Sequence, residues 1–216
     1  MTTEAAATRA GALLGAVVFP YAVGRAEMTR HYHRTIVALT RYSPERFTHG
    51  ALWTLPLSGL VVARPTRVGP KLGVLLVAAA VYLIWVGPVR AAIRFAAGHV
   101  VPTVLTLVAI LVAGAVASPV GRHLYHMTDT GISAGLAAIA GALVVLAWRR
   151  DRHVLAVALA SGLVTYFAYG LATERLMGVL ADVEHLLAMG VGAVLELRWP
   201  APPPAPAVPV VAGEPR

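Results

Sequence analysis

Long apolar runs, almost free of charged residues, restrict this chain to a helical membrane architecture. A bilayer core about 30 Å thick is crossed by about 20 consecutive apolar residues in a helix. Apolar residues make up 58% of the chain and charged residues 13%, whereas soluble domains average roughly 45–50% and about 25%. The sequence therefore predicts a single-domain, multi-pass, all-α membrane protein. The predicted spans are residues 72–89, 100–118, 131–148, 154–171 and 176–197.

Three further segments complete the predicted organisation. Residues 10–23 have no convincing cleavage site, so they are predicted to form a retained first membrane helix. Residues 51–63, interrupted by Pro56, are too short to span and are predicted to form a re-entrant or interfacial loop. The transmembrane domain is expected to comprise residues 1–199, followed by a proline-rich, disordered tail over 200–216.

The net charge of +8 comes almost entirely from arginine, since Lys71 is the only lysine. The arginines lie between the apolar runs, where anionic lipid head groups explain them better than nucleic acid does. No nucleic-acid partner is therefore expected. Basic residues in short loops face the cytoplasm, so residues 149–152 and the loop with Arg90 and Arg94 are predicted to be cytoplasmic in a plasma or inner membrane. The segments predicted to lie outside are residues 121–130, 172–181 and the basic stretch 24–71.

Ser133 and His185 are polar residues set into apolar runs, where polar side chains are costly and mark functional sites. Ser133 is about two residues into a helix predicted to start on the outer side, and His185 is several residues into a parallel helix. Both are therefore expected within roughly 10 Å of the outer boundary. A serine–histidine hydrogen bond needs about 2.6–3.2 Å, which small residues on the two helices permit. Those residues include Gly131, Gly135, Ala188 and Gly192.

The surroundings of this pair resemble the rhomboid family of intramembrane proteases. Residues 131–142, Gly-Ile-Ser-Ala-Gly-Leu-Ala-Ala-Ile-Ala-Gly-Ala, are similar to the catalytic-serine helix, with its G-x-S-G and further Gly-Ala. Residues 185–192 are similar to the H-x-x-G-x-x-x-G of the last core helix, with Ala188 in place of the first glycine. The resemblance implies a six-helix rhomboid-like transmembrane bundle. It also implies an embedded loop after the first helix, serine on the fourth helix and histidine on the sixth.

The resemblance further implies a serine endopeptidase that cleaves membrane-anchored protein substrates without a cofactor. His185 would act as general base, and Ser133 would attack the peptide carbonyl. The backbone N–H of Ser133, flanked by Gly131 and Ala134, would help to stabilise the oxyanion. Apart from the resemblance, the acids that could orient the imidazole are Asp182 and Glu184, which flank His185, and Asp129 from across the gap.

Two features depart from the family pattern. Ala134 stands where the family has glycine, and residues 72–86 hold neither histidine nor asparagine for the H-x-x-x-N element that completes the oxyanion hole. His99 begins a near match to that element, ending at Thr103. The predicted topology places His99 at the cytoplasmic end of its span, on the order of 25 Å from the dyad. His99 is therefore not expected to belong to the site.

Alternative interpretations of the same residues remain open. Asp182 and Glu184 could be acids at a helix N-terminus, where the helix dipole favours them. The missing H-x-x-x-N element favours a catalytically inactive pseudoprotease that binds or escorts membrane clients, whereas the retained Ser133 and His185 favour an enzyme. A small transporter would need a continuous polar pathway, and few polar residues lie within the spans.

No metal site is expected. The chain has no cysteine, which excludes disulfides and Cys-ligated metals. Histidine pairs that could ligate a metal lack a third ligand at suitable spacing. These pairs are His31 with His33 and His123 with His126.

Overall fold

The apolar spans form α-helices in the part of the chain that the computed structural model describes. That part comprises residues 30–61, 70–115, 119–129, 131–173 and 176–200. Within it there is no β-sheet, and a single β-bridge joins Tyr42 to Asp129. The helices are α1 (Arg30–Thr40), α2 (Pro44–Thr48), α3 (Thr54–Ser58), α4 (Pro70–Val86), α5 (Pro88–Ala115), α6 (Pro119–Tyr125), α7 (Ser133–Arg149), α8 (His153–Thr173) and α9 (Leu176–Arg198).

Three of the described helices are long and apolar enough to cross a membrane. These stretches are Pro88–Gly114 of α5, His153–Thr173 of α8 and Gly178–Arg198 of α9. The helices α4 and α7 are apolar but have 17 residues each, which gives a length of about 26 Å. The predicted all-α class is thus confirmed, with three helices able to span a membrane. The six-helix bundle stays a prediction.

The helix α7 lies at the centre of the described helices, and its small residues allow close packing. Every residue over 134–143 is buried, and α9, α5, α4 and α8 all contact this helix. A Cβ added at Gly141 would lie 2.1 Å from the carbonyl oxygen of Met189, and one at Gly192 would lie 1.8 Å from that of Ala138. Only glycine fits at these two contacts. The close approach of the serine and histidine helices expected from the sequence is therefore present.

A further pair of glycines joins α5 to α7. A Cβ at Gly98 would overlap the side chain of Ala138, and one at Gly135 would lie 2.6 Å from the ring of Phe95. The nearest atoms to Gly135 are therefore those of Phe95 on α5. Ala188 on α9 is fully buried in the same apolar core.

The start of α5 differs from the sequence prediction, which began this span at residue 100. The chain turns at Gly87, whose φ of +88° favours glycine, and Pro88 opens a helix of 28 residues. Arg94, predicted to lie in a cytoplasmic loop, is inside this helix, fully buried and 2.8 Å from Glu196 on α9. The pairing explains how an arginine is accommodated among apolar side chains. The sequence does not reveal this partner.

Basic residues gather at one end of the described helices. The guanidinium groups of Arg90 and Arg94 lie 4.8 and 5.3 Å from the ring centroid of Trp199. The guanidinium of Arg150 lies 5.1 Å from that of Trp85. The first turns of α5 and the turn between α7 and α8 therefore lie at the same end of the described helices, whereas their cytoplasmic location stays a prediction.

Residues 41–61 lie at the other end, beside the start of α7. Tyr42 and Asp129 exchange two backbone hydrogen bonds of 3.0 Å, and the N–H of Gly131 donates to the carbonyl of Ser58 at 3.1 Å. The described part of the predicted re-entrant loop contains only the five-residue helix α3. The predicted first helix at 10–23 and the tail from residue 201 onward lie outside the described residues.

Candidate functional site

A cavity of about 80 Å³ lies at the start of α7. This volume is large enough for several water molecules, since roughly 10–15 Å³ of such volume is enough for one. Residues from the segment before α2, from α5, α7 and α9, and from the loop before α7 line it. The structure therefore brings together most of the site residues predicted from the sequence. The predicted residues in its wall are Asp129, Gly131, Ser133, Ala134 and His185, and the others are Tyr42, His99, Ala181 and Glu184.

Ser133 is the first residue of α7. The preceding residue, Ile132, supplies no side-chain cap, and the first N–H groups of a helix have no partner within it. The N–H groups of Ser133 and Ala134 are therefore available to the cavity, at the end of the helix that carries partial positive charge. Gly131 leaves room beside the hydroxyl, since even a Cβ there would lie 3.6 Å from Ser133 Oγ. This arrangement suits an anion that forms at the serine.

His185 is buried on α9 and is held from two sides. Its Nδ1 lies 3.5 Å from Oδ1 of Asp182, and its ring stacks on Phe167 of α8, with centroids 5.2 Å apart and planes 23° apart. This Nδ1 is buried and makes no hydrogen bond to the described residues, so the contact with Asp182 is a charge proximity and not a hydrogen bond. A base needs its free nitrogen directed at the group that it deprotonates.

Asp182 reaches His185 because α8 has a glycine at the contact. The Asp182 side chain is fully buried, and a Cβ at Gly170 would lie 1.8 Å from its Oδ2. The helix α9 begins at Leu176, so Asp182 and Glu184 lie in its second and third turns. Their interpretation as acids at a helix N-terminus is therefore wrong, and both side chains are buried.

Ser133 and His185 line one cavity, but they make no hydrogen bond to each other among the described residues. The dyad therefore stays a prediction.

A second polar cluster, which the sequence analysis missed, borders the same cavity. The hydroxyl of Tyr42 donates to Oε2 of Glu184 at 2.9 Å and lies 3.4 Å from Oδ2 of Asp129. Thr103 Oγ1 lies 2.6 Å from both Glu184 Oε1 and the carbonyl oxygen of His99. Burial, and then the Asp129 carboxylate, raise the pKa of Tyr42 well above its ordinary value. The only sequence signal for this cluster was an acid beside His185 in an apolar run.

His99 lines the cavity, so its exclusion on the basis of depth is wrong. The exclusion assumed that α5 begins near residue 100, whereas His99 lies in the middle of the helix. Its Nε2 lies 2.9 Å from the carbonyl oxygen of Leu55 and 3.0 Å from Ser58 Oγ. Its Nδ1 is buried and makes no hydrogen bond to the described residues. The spacing from His99 to Thr103, noted in the sequence, was the signal that could have identified it.

The described residues contain no group of three or more His, Asp or Glu that could hold a metal. His126 pairs with Glu45 at 3.2 Å on the surface. The side chains of His31 and His33 lie outside the described part of the chain.

No protein-family model, curated protein or solved structure matches this chain.

Proposed function

We propose that this protein is a rhomboid-like intramembrane serine protease that cleaves membrane-anchored protein substrates. The observation that carries the proposal is the shared cavity, which Ser133 and His185 both line, with Asp182 beside the far nitrogen of the imidazole. A nucleophile, a base and a group that orients the base are the parts that serine hydrolysis needs. The proposal includes a six-helix bundle in a plasma or inner membrane and no cofactor.

The chemistry follows from the roles of these side chains. Ser133 Oγ attacks the substrate carbonyl as its proton passes to His185 Nε2, and Asp182 stabilises the resulting imidazolium. The tetrahedral intermediate collapses when His185 returns the proton to the leaving amine. Water then hydrolyses the acyl-enzyme in the same way, with His185 again acting as base.

The oxyanion is stabilised mainly by backbone groups in this proposal. The N–H groups of Ser133 and Ala134 at the start of α7 are the donors. The carbonyl of Leu55 can only accept a hydrogen bond, so Nε2 of His99 carries a hydrogen. In the neutral ring Nδ1 is then an acceptor, and His99 donates to an oxyanion from Nδ1 only as an imidazolium. Neutral His99 therefore does not supply the hydrogen-bond donor that the missing H-x-x-x-N element would provide.

A rhomboid-like pseudoprotease that binds membrane clients is the second candidate. It is favoured by the absence of a hydrogen bond between Ser133 and His185 and of histidine and asparagine from α4. Such a protein would hold a client segment without cleaving it.

Labelling with a fluorophosphonate probe distinguishes the two candidates. We expect the purified full-length protein to be labelled at Ser133, and both Ser133→Ala and His185→Ala to abolish labelling. Ser161→Ala is the matched control, because this serine is exposed on α8 away from the cavity. Labelling that survives both substitutions would exclude the dyad, and wild-type protein that is never labelled would favour the pseudoprotease.

A further inference from the structure

The cluster around Glu184 contains more acceptors than its hydroxyl groups can supply with hydrogens. Thr103 Oγ1 lies 2.6 Å from the carbonyl oxygen of His99 and 2.6 Å from Glu184 Oε1. A threonine hydroxyl carries one hydrogen, and a carbonyl oxygen carries none. If Glu184 were ionised, one of these short contacts would bring together two oxygen atoms with no hydrogen between them.

We propose that Glu184 is held as a neutral carboxylic acid that donates a hydrogen bond to Thr103. Thr103 then donates its own hydrogen to the carbonyl of His99, a common bond for a helical threonine. The hydroxyl of Tyr42 donates to the other carboxyl oxygen of Glu184 at 2.9 Å. With this single added proton, every short contact in the cluster has one donor and one acceptor.

The surroundings of Glu184 favour the neutral form. Its side chain is 5% exposed, and a buried carboxylate is costly without a cationic partner. The titratable groups that line the cavity with it are Tyr42, Asp129, His99 and His185, and no lysine or arginine is among them. The nearby Asp129 carboxylate also opposes a second negative charge. Arg94, the fully buried arginine of α5, is paired with Glu196 at the other end of the helices.

The proton on Glu184 has a structural and an electrostatic consequence. It lets Glu184 of α9 donate to Thr103 of α5, while Tyr42 donates its own hydrogen to the same carboxyl group. It also keeps a negative charge away from the site where the oxyanion forms at Ser133. This second consequence rests on the proposed function, whereas the protonation of Glu184 does not.

Infrared spectroscopy of the full-length protein tests the protonation directly. We expect a carbonyl stretch of a protonated carboxyl group at neutral pH, and its loss in Glu184→Gln. The variants Asp182→Asn and Glu196→Gln are matched controls at two other buried acids of α9 and should retain this band. A wild-type spectrum without the band, or a band that persists in Glu184→Gln, would overturn the proposal.

Folding and reactivity of Glu184→Gln provide a second test. A glutamine amide can donate to Thr103 and accept from Tyr42, so its unfolding midpoint at neutral pH should equal that of the wild type. The rate of fluorophosphonate labelling at Ser133 should change by less than about threefold, the effect of one weak neutral hydrogen bond. A variant that fails to fold would contradict a neutral Glu184. If even the wild type is not labelled, the proposed function fails while the infrared result still decides the state of Glu184.

Discussion

Replacing Gly170 with alanine displaces Asp182 without changing any ionisable side chain. Gly170 is buried on α8, and a Cβ there would lie 1.8 Å from Oδ2 of Asp182, well inside the 3.4 Å at which ordinary contact begins. The carboxylate therefore has to move. We expect its contact with Nδ1 of His185, now 3.5 Å, to lengthen accordingly.

The size of the effect follows from the electrostatic role of Asp182. Two unit charges 3.5 Å apart attract by about 4.7 kcal/mol at an effective dielectric constant of about 20, and by about 3.3 kcal/mol at about 5 Å. The variant therefore stabilises the imidazolium of His185 by about 1.4 kcal/mol less than the wild type does. This loss corresponds to a rate of labelling at Ser133 that is about tenfold lower. The variant Asp182→Asn removes the charge entirely and should lower the rate by about 10³-fold.

The assay is the rate of fluorophosphonate labelling at Ser133, with the unfolding midpoint measured in parallel. Gly162→Ala is the matched control, because Gly162 is on the same helix and a Cβ there meets nothing within 4 Å. We expect the control to react at the wild-type rate. Equal rates for Gly170→Ala and Gly162→Ala, together with an unchanged rate for Asp182→Asn, would refute a role for Asp182 in supporting His185.

Three further predictions concern stability. Gly192→Ala forces α7 and α9 apart and should lower the free energy of unfolding in detergent by about 1–3 kcal/mol. Gly190→Ala is the control, because a Cβ at Gly190 meets nothing within 4 Å, and it should leave the free energy of unfolding unchanged. Equal stabilities of the two variants would contradict the close contact at Gly192. Glu196→Gln leaves the buried Arg94 without its charge partner and should lower the free energy of unfolding by about 3–5 kcal/mol. A decrease below about 1 kcal/mol would show that the ion pair is exposed to solvent. The raised pKa of Tyr42 means that its contribution to stability is complete below pH about 10 and is lost as the pH rises further, because the unfolded phenol ionises first. The free energy of unfolding of Tyr42→Phe should therefore fall less steeply above pH about 10 than that of the wild type. Identical pH profiles of the two proteins would contradict the burial of the Tyr42 phenol.

Features that depend on local chain properties could be predicted from the sequence. Apolar runs specify helices able to lie in a bilayer, because backbone groups in lipid must be satisfied within the segment. The rise of a helix is fixed, so counting residues placed Ser133 and His185 at similar depth. Both residues line the cavity. The small residues of α7 and α9 indicated their close packing for the same reason.

The error over His99 shows where residue counting failed. Charged residues mark the ends of membrane helices only when they are unpaired, and Arg94 is paired with Glu196, 102 positions away. The arginine was therefore interpreted as part of a loop, and the predicted start of the helix moved by more than ten residues. The wrong depth of His99 followed directly from that boundary.

The polar cluster at the cavity is a product of tertiary packing. Glu184 meets Tyr42 across 142 positions and Thr103 across 81, and no local pattern encodes either contact. The sequence contains the helices, their small-residue faces and the depth of the serine and histidine, since these depend on residues close together in the chain. Packing decides which buried acid supports the histidine and which carries a proton, because both depend on groups that only the fold brings into contact.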